Sequence, residues 1–322
     1  MKRFKNILLV FDPEVDDNAA VSRAVSLAGR NHAELTLFSV VEELPPEIRT
    51  WTAGQASEGL FERVIEDRRE QLRLLIKCIG DARIETKMQV VSGTPFLEII
   101  RQVLRDRHDL VMVTAEGMAG MAGMEGFRAR LFGNTTMHLM RKCPCPVWAI
   151  KPTAHQGYTR ILAAVDPGSA DAAHTSLDRL VMDLATSLAR PHGSELHVIH
   201  AWDLPGANVI TDRGVITQRE LDMWSQGVRS RRETQLDDLL AHYSALETEP
   251  QVHLIKGRGG KEILELVRQK GIDLLVMGTV CRTGVAGFFI GNTAETVLAQ
   301  VDCSVLSVKP ERFVTPVTLE NR

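Results

Sequence analysis

Short apolar runs alternate with helical patterns along the whole chain. The runs are rich in Val, Ile and Leu, which is typical of strands buried on both faces of a parallel sheet. In the first half these runs are NILLVF, LTLFSVV, ETKMQVV, DLVMVT and PVWAI. Stretches such as NAAVSRAVSLAGR and FERVIEDRREQLRLLIKCI lie between them and carry apolar residues at helical spacing. The alternation predicts βαβ units with right-handed crossovers.

The second half repeats the first in the same order of blocks. FKNILLVFDPEVDDNAA at residue 4 matches YTRILAAVDPGSADAAH at residue 158, and CPVWAIKP at 145 matches CSVLSVKP at 303. Equivalent positions are Asp12 and Asp166, Gly93 and Gly257, and Gly133 and Gly291. We therefore predict two homologous domains, residues 1–152 and 153–312, followed by a tail, 313–322. Each is expected to be a doubly wound, Rossmann-like α/β domain with a five-stranded parallel sheet.

Composition narrows the function classes. The chain has 322 residues, a formal net charge of −3 and 25% charged residues. This balance does not favour a nucleic-acid or anionic-membrane partner. The first apolar run is too short for a signal peptide or a membrane span, so we expect a cytoplasmic protein. Five cysteines, an odd number, favour reduced thiols over a disulfide framework.

A glycine-rich segment follows a predicted strand of the second half. Doubly wound sheets bind ligands at the carboxyl ends of their strands, near the switch in strand order. Asp166, the end of HVIHAW and the segment MGTVCRTGVAGFFIGNTAE, residues 277–295, all follow such strands. The glycines of segment 277–295 allow close approach of the backbone to a ligand. Arg282 adds positive charge, and the start of the following helix favours an anion.

The first half provides an internal control for this segment. Its counterpart, VTAEGMAGMAGMEGFRARLFGNTTMHLM, is six residues longer and has Thr114 where the second half has Gly278. GNT nevertheless recurs at 133–135, so it does not by itself indicate phosphate binding. The alternative is a helix start with an Asn cap, and Asn292 and Glu295 have the spacing of a capping box.

Together these motifs resemble the tandem universal stress proteins, and among them the bacterial E-type with two such domains in one chain. The resemblance covers about residues 4–310. The nucleotide motif of that family, G-x2-G-x9-G-[ST], matches at Gly278 and Gly291 and departs at Cys281 and Asn292. The resemblance implies ATP, with or without Mg²⁺, bound in the second domain only and at weak or moderate affinity.

The resemblance also implies where the nucleotide would lie. Adenosine would lie beside Asp166, the main chain near it and the residue after the second strand, with the phosphates along the glycine-rich loop. The implied nucleotide-binding residues are Ala164, Val165, Asp166, Ala201, Met277, Gly278, Arg282, Gly287, Gly291, Asn292 and Thr293. The first domain keeps the equivalent aspartate, Asp12, but lacks the glycine-rich loop. No catalytic residue or metal site is predicted, and hydrolysis would be slow at most.

Other readings remain open. The chain could be a structural or interaction protein without a nucleotide, whose first domain binds another ligand under the Met/Gly-rich loop 117–126, or an enzyme of another α/β nucleotide family. The family resemblance implies that PCPVWAIKP and DCSVLSVKP pair within one chain as a pseudo-dimer, and two chains could form a homodimer.

Several local patterns have plain structural interpretations. KCPCP, residues 142–146, looks like a metal or redox pair, but a structural role is favoured because only His138 is near. His197 and His200 should face opposite sides of a strand, which disfavours a shared metal site. The runs EDRREQLRLL and RSRRETQLDDLL are expected to be solvated helix faces.

Overall fold

The computed structural model describes most of the chain and divides it into two compact units. The described residues are 4–13, 15, 17–42, 55–80, 84–115, 133–152, 157–168, 172–204, 217–244, 249–279 and 290–319. Unit 1 contains residues 1–156, 285–289 and 304–322, and unit 2 contains residues 157–284 and 290–303. The end of the second repeat therefore belongs to unit 1.

Unit 1 is a sheet with helices between its strands. Its strands are β1 (Asn6–Val10), β2 (Glu34–Val41), β3 (Thr86–Ser92), β4 (Leu110–Thr114), β5 (Val147–Ile150) and, from the end of the chain, β10 (Ser304–Val308). Its helices are α1 (Asn18–Asn31), α2 (Gln55–Ile79), α3 (Pro95–Asp106) and α4 (Asn134–Lys142). The strand order is β3-β2-β1-β4-β5-β10. The centres of β1, β2, β4 and β5 are buried, as their apolar runs predict.

Unit 2 repeats this plan with one strand fewer. Its strands are β6 (Arg160–Ala164), β7 (Glu195–Trp202), β8 (Gln251–Lys256) and β9 (Leu274–Gly278), in the order β9-β6-β7-β8. Its helices are α5 (Ala172–Ala189), α6 (Gln218–Leu240), α7 (Gly259–Lys270) and α8 (Asn292–Leu298). Helix α6 begins with a capping box in which Thr217 and Glu220 satisfy each other's backbone N–H groups.

The predicted fold class is confirmed. Neighbouring strands of each repeat are parallel, and β1 pairs with β2 and β4 as β6 pairs with β7 and β9. The predicted pairing of the two last strands is also confirmed, because β5 and β10 form an antiparallel pair in which Leu306 faces Trp148. The Ser307 hydroxyl donates to the Val147 carbonyl across this pair, at 3.2 Å.

Among the helices that the structure describes, none is long and apolar enough to cross a bilayer.

Candidate functional site at the carboxyl ends of β6 and β9

Unit 2 has a switch in strand order beside β6. The chain leaves β6 for β7 on one side of it and later returns as β9 on the other side. Ala164, the last residue of β6, is level with Met277 in β9. Crossovers that leave in opposite directions create a crevice at the carboxyl ends of these two strands, which is the usual ligand position of such sheets.

Hydrogen bonds hold the segment after β6 in place. The N–H of Val165 donates to the Ile199 carbonyl at 3.0 Å, and the N–H of Asp166 donates to Asp178 Oδ1 at 2.8 Å. The side chain of Asp166 is 37% exposed. Asp166 therefore presents a carboxylate at the strand end, on a backbone that Asp178 fixes from helix α5.

His200 of β7 lies beneath this carboxylate. Its ring is buried, with Nδ1 3.2 Å from the Val165 carbonyl oxygen and 3.8 Å from Asp166 Oδ1. Burial lowers the pKa of His200, and the charge of Arg232 lowers it further, against the hydrogen bond to Val165. We infer a neutral ring whose Nδ1–H donates to Val165. Nε2 is buried and has no partner among the described residues.

Arg232 of helix α6 reaches over the same strand end. Its Nη1 donates to Gln235 Oε1 at 3.2 Å, and its guanidinium lies so close to Gly168 that a Cβ at that position would collide with it. Nε is buried without a partner in the described part of the chain. Gly168 thus makes room for a half-buried guanidinium whose charge lowers the pKa of His200.

Gly278 leaves room at the end of β9 for the side chain of Leu177. It is the last residue of β9, and a Cβ on it would lie 2.6 Å from Leu177 Cδ2. Met277 beside it is buried. Any larger residue at 278 would have to displace Leu177 of helix α5, so the position is built for glycine.

The predicted Asn cap of α8 is wrong. Gly291 is the N-cap, with φ −67° and ψ 145°, and the helix has no side-chain cap hydrogen bond. The capping box of Asn292 and Glu295 is therefore absent, because Asn292 is already the first helical residue. The N–H of Gly291 donates to the Thr279 carbonyl at 3.1 Å. Thr293 turns toward helix α7, where a Cβ on Gly259 would lie 3.2 Å from its side chain.

The remaining predicted site residues divide between the strand end and the loop. Ala201 lies in β7, half-buried and level with Ile255 of β8. Arg282 and Gly287, together with Cys281, lie outside the described residues, as does the Met/Gly-rich segment 117–126 of the first repeat. The predicted residues that the structure brings together at the ends of β6 and β9 are Ala164, Val165, Asp166, Met277 and Gly278. Gly291 is linked to the residue after β9, Thr279, by a backbone hydrogen bond.

The equivalent crevice of unit 1, between β1 and β4, is closed by side chains. The N–H of Asp12 donates to Asp17 Oδ2 at 2.8 Å, as that of Asp166 does to Asp178. The hydroxyl of Thr114 donates to the other oxygen of Asp17. Arg68 of helix α2 lies 3.7 Å from Asp12 and 3.4 Å from the Ser39 hydroxyl. Thr114 and Asp17 thus join the two strand ends that Gly278 leaves apart in unit 2.

The two arginines are residues that the sequence interpretation missed. The runs EDRREQLRLL and RSRRETQLDDLL lie mostly on exposed helix faces, but Arg68 and Arg232 turn inward. A signal existed, because Arg232 follows Arg68 by 164 residues, the same offset that relates Gly257 to Gly93. The recurrence of an arginine at this offset in two mostly exposed helices indicates that both arginines have the same structural role.

The histidines of unit 2 do not converge. His197 contacts His253 of β8, with Nδ1 and Nε2 3.1 Å apart, while His200 faces Asp166 on the other side of β7, as predicted. His138 of unit 1 stacks on Phe96 with ring centroids 4.3 Å apart. Within the described ranges no group of three His, Cys, Asp or Glu side chains is placed to hold a metal ion.

Comparison with known proteins agrees with this architecture. The model of the universal stress protein family matches residues 3–151 and again residues 157–309. Universal stress protein E of Escherichia coli is 28% identical over 323 residues, covering 100% of this chain and 99% of the relative. The homologue from Haemophilus influenzae is 23% identical over 316 residues, covering 96% of this chain and 99% of its own.

A solved structure shares the fold over the whole length. A putative universal stress protein from Pseudomonas aeruginosa has a TM-score of 0.72 at 22% identity, covering 96% of this chain and 95% of its own. The repeat, the strand order and the two family matches lead to one conclusion. The chain belongs to the universal stress protein family, with two copies of the family's domain in tandem.

Proposed function

We propose that this protein binds an adenine nucleotide, ATP with or without Mg²⁺, at the carboxyl ends of β6 and β9, and acts in stress tolerance in the cytoplasm. The observation that carries the proposal is the switch point of unit 2, where β9 ends in Gly278 and not in a residue whose side chain could join the two strand ends. A crevice at such a switch point is the position at which doubly wound sheets take their ligands.

The base and ribose fit the β6–β7 side of this crevice. Asp166 offers a half-exposed carboxylate that can accept from ribose hydroxyls, on a backbone held by Asp178. The guanidinium of Arg232 is planar and half-buried, and such groups stack on aromatic faces and donate hydrogen bonds in a fixed geometry. Ala201 is small enough to leave room for a purine.

The phosphates fit the β9 side. Gly278 lets the backbone approach closely, and the segment from there to Gly291 contributes Arg282 and three further glycines at 284, 287 and 291. The side chain of Thr293 packs toward Gly259, so we assign it no phosphate contact. Asn292 is exposed and keeps its side-chain amide as a donor.

We propose binding without appreciable turnover. The buried His200 ring is held neutral and donates to the Val165 carbonyl, and Asp178 already accepts from the Asp166 backbone. These groups position the strand end, which supports a role as a nucleotide-responsive binding protein, with hydrolysis slow at most.

Calorimetric titration of the full chain with ATP tests the proposal. We expect micromolar or weaker binding, about 8 kcal/mol or less. Asp166→Asn should weaken it, while Asp12→Asn, the matched change in unit 1, should leave it unchanged. If only Asp12→Asn weakens binding, the site lies in unit 1 and the proposal is wrong.

A nucleotide-free interaction protein is the second candidate. It is favoured by the closed crevice of unit 1 and by the pairing of β5 with β10, which uses both last strands for structure. The first unit would then bind another ligand or a partner, and two chains could form a homodimer. Mass spectrometry of the purified protein separates the two candidates, because co-purified ATP or AMP supports the first.

A further inference from the structure

Two cysteine thiols meet where helix α4 leads into β5. Cys143 is the C-cap of α4 and Cys145 precedes β5 by two residues, with a bend of the chain at Pro144 and Cys145. Their Sγ atoms are 3.6 Å apart, close enough for one thiol to hydrogen-bond the other. Formation of a disulfide would bring the two sulfurs to about 2.05 Å from each other.

A buried lysine lies beside this pair. Lys309 follows β10 and is 5% exposed, and its Nζ donates to the Met140 carbonyl at 2.8 Å. Nζ also lies 5.1 Å from the centre of the Phe313 ring. Lys309 has no carboxylate partner among the described residues, and the two thiols of Cys143 and Cys145 act on its charge.

The lysine and the thiols act on one another. Burial lowers the pKa of Lys309 to about 8, against the attraction of the two thiols. Burial alone would raise the pKa of Cys143, but the hydrogen bond from Cys145 and the charge of Lys309 outweigh it and lower it. The hydrogen bond to Cys143 and burial raise the pKa of Cys145. One proton shared between two sulfurs beside an ammonium is the arrangement of a reactive dithiol.

We propose that Cys143 and Cys145 form an oxidation site at which hydrogen peroxide converts the two thiols into a disulfide beside the buried amine of Lys309. Cys143, whose pKa is lowered beside Lys309, supplies the thiolate. This thiolate attacks one peroxide oxygen, the O–O bond breaks, and a sulfenic acid and one water form. The sulfur of Cys145, the half-buried residue of the pair, then attacks the sulfenic sulfur and the S–O bond breaks, releasing the second water. Overall, two thiols and one peroxide give one disulfide and two waters.

The second repeat lacks this pair and serves as an internal control. Cys303 stands where the first repeat has Cys145, but Val301 stands where it has Cys143. Cys303 is buried and has no second thiol two residues before it. A site that needs both sulfurs should therefore form in the first repeat alone.

Stoichiometric oxidation of the full-length chain tests the proposal. Hydrogen peroxide is added to a Cys78→Ser background, which removes the exposed thiol, and remaining thiols are alkylated before intact and peptide mass analysis. We expect a loss of two hydrogens per chain, mapped to a 143–145 cross-link, and its reversal by a dithiol reductant. Cys145→Ser in the same background should stop at a sulfenic acid or its further oxidation products, and Cys143→Ser should also lack the cross-link.

The lysine is tested separately. Lys309→Met should slow formation of the cross-link by about tenfold at neutral pH, since the thiolate fraction falls about tenfold for each unit by which a thiol pKa rises. Lys309→Arg keeps the charge and should retain most of the rate. Thermal unfolding identifies a variant that fails to fold, and the Cys143→Ser comparison does not depend on it.

Two results would overturn the inference. One is the absence of the 143–145 cross-link under conditions that oxidise Cys78 in the wild-type chain. The other is a cross-link that pairs either sulfur with Cys281 or Cys303. An unchanged rate in a folded Lys309→Met variant would overturn the role of the lysine.

Discussion

The two switch points of this chain share a plan but differ in how the strand ends are joined. In unit 1 the Thr114 hydroxyl donates to Asp17, which also holds the backbone of Asp12. In unit 2 Asp178 holds Asp166 in the same way, but β9 ends in Gly278, which has no side chain to reach across. A tandem repeat can therefore keep one scaffold twice and join the two strand ends through a side chain of the inner strand in only one copy.

The side chains below the two carboxylates differ as well. Ser39 donates to the Phe11 carbonyl at 2.9 Å, whereas His200 takes that role in unit 2 with a ring that fills the space. Both units place an arginine over the strand end, but Arg68 is close to Asp12 whereas Arg232 lies against Gly168. Arg68 lies within ion-pair distance of Asp12, whereas the guanidinium of Arg232 donates to Gln235 of its own helix.

The largest expected effect comes from giving unit 2 the β9 residue of its counterpart. Gly278→Thr should reduce ATP affinity by a hundredfold or more, about 3 kcal/mol, because the side chain enters the crevice and meets Leu177. Thr114→Gly, the reverse change in unit 1, should leave the ATP affinity as it is. Calorimetry checks both variants, with thermal unfolding as the control for folding. Unchanged binding in a folded Gly278→Thr variant would contradict the position assigned to the nucleotide.

Restoring the glycine of the family motif should increase the ATP affinity of unit 2 and so its difference from unit 1. Cys281→Gly is expected to strengthen ATP binding about tenfold to a hundredfold, since one charge-assisted backbone contact is worth roughly 1.5–3 kcal/mol. The measurement is the dissociation constant by calorimetry. Cys78→Ser is the control, a thiol removed elsewhere in the chain. No gain in affinity would show that the motif interpretation of this position was wrong.

Removing the arginine of unit 2 should have a smaller effect. Arg232→Ala is expected to weaken ATP binding about tenfold, or about 1.4 kcal/mol, because a half-buried guanidinium contact is lost. Arg68→Ala, its counterpart, should not change ATP binding. An Arg232→Ala variant that binds ATP more tightly would mean that the guanidinium blocks the crevice instead of contacting the ligand.

The smallest expected effect is a pH dependence of stability that comes from His200 of unit 2 and has no counterpart at Ser39 of unit 1. Burial, with the charge of Arg232, lowers the pKa of His200, so the unfolded chain binds its proton more readily. The contribution of His200 is complete above pH 6.5 and is lost as the pH falls below it, by at most about 1.4 kcal/mol per pH unit.

Thermal unfolding at pH 7.5 and 5.5 measures this contribution. His200→Gln should narrow the difference between the two midpoints, while other histidines whose pKa burial lowers, such as His253, keep the rest of it. If the midpoints at pH 7.5 and 5.5 differ equally in the wild-type protein and in His200→Gln, His200 does not contribute to the pH dependence of stability.

The sequence predicted the fold well because its signals are local. Val- and Leu-rich runs such as NILLVF and DLVMVT give β1 and β4 within a residue or two, and the repeat predicted that both halves have the same type of fold. Pairing of PVWAI with SVLSV followed from the family resemblance and is confirmed by the register of Leu306 and Trp148.

The site was less predictable because it depends on contacts between distant residues. Asp178 lies inside helix α5, twelve positions after the residue it holds, and only the packing of that helix reveals its role. Arg232 has the local sequence of a solvated helix, and nothing near it indicates that Gly168 makes room for its guanidinium. The Asn292 cap failed because the helix begins one residue earlier than the pattern suggested, with Gly291 as the cap.

The stoichiometry of ATP binding to the full chain tests the central claim most directly. The account predicts one ATP per chain by calorimetry, lost in Gly278→Thr and kept in Asp12→Asn. Two ATP molecules per chain, or one that Asp12→Asn removes and Gly278→Thr does not, would contradict it.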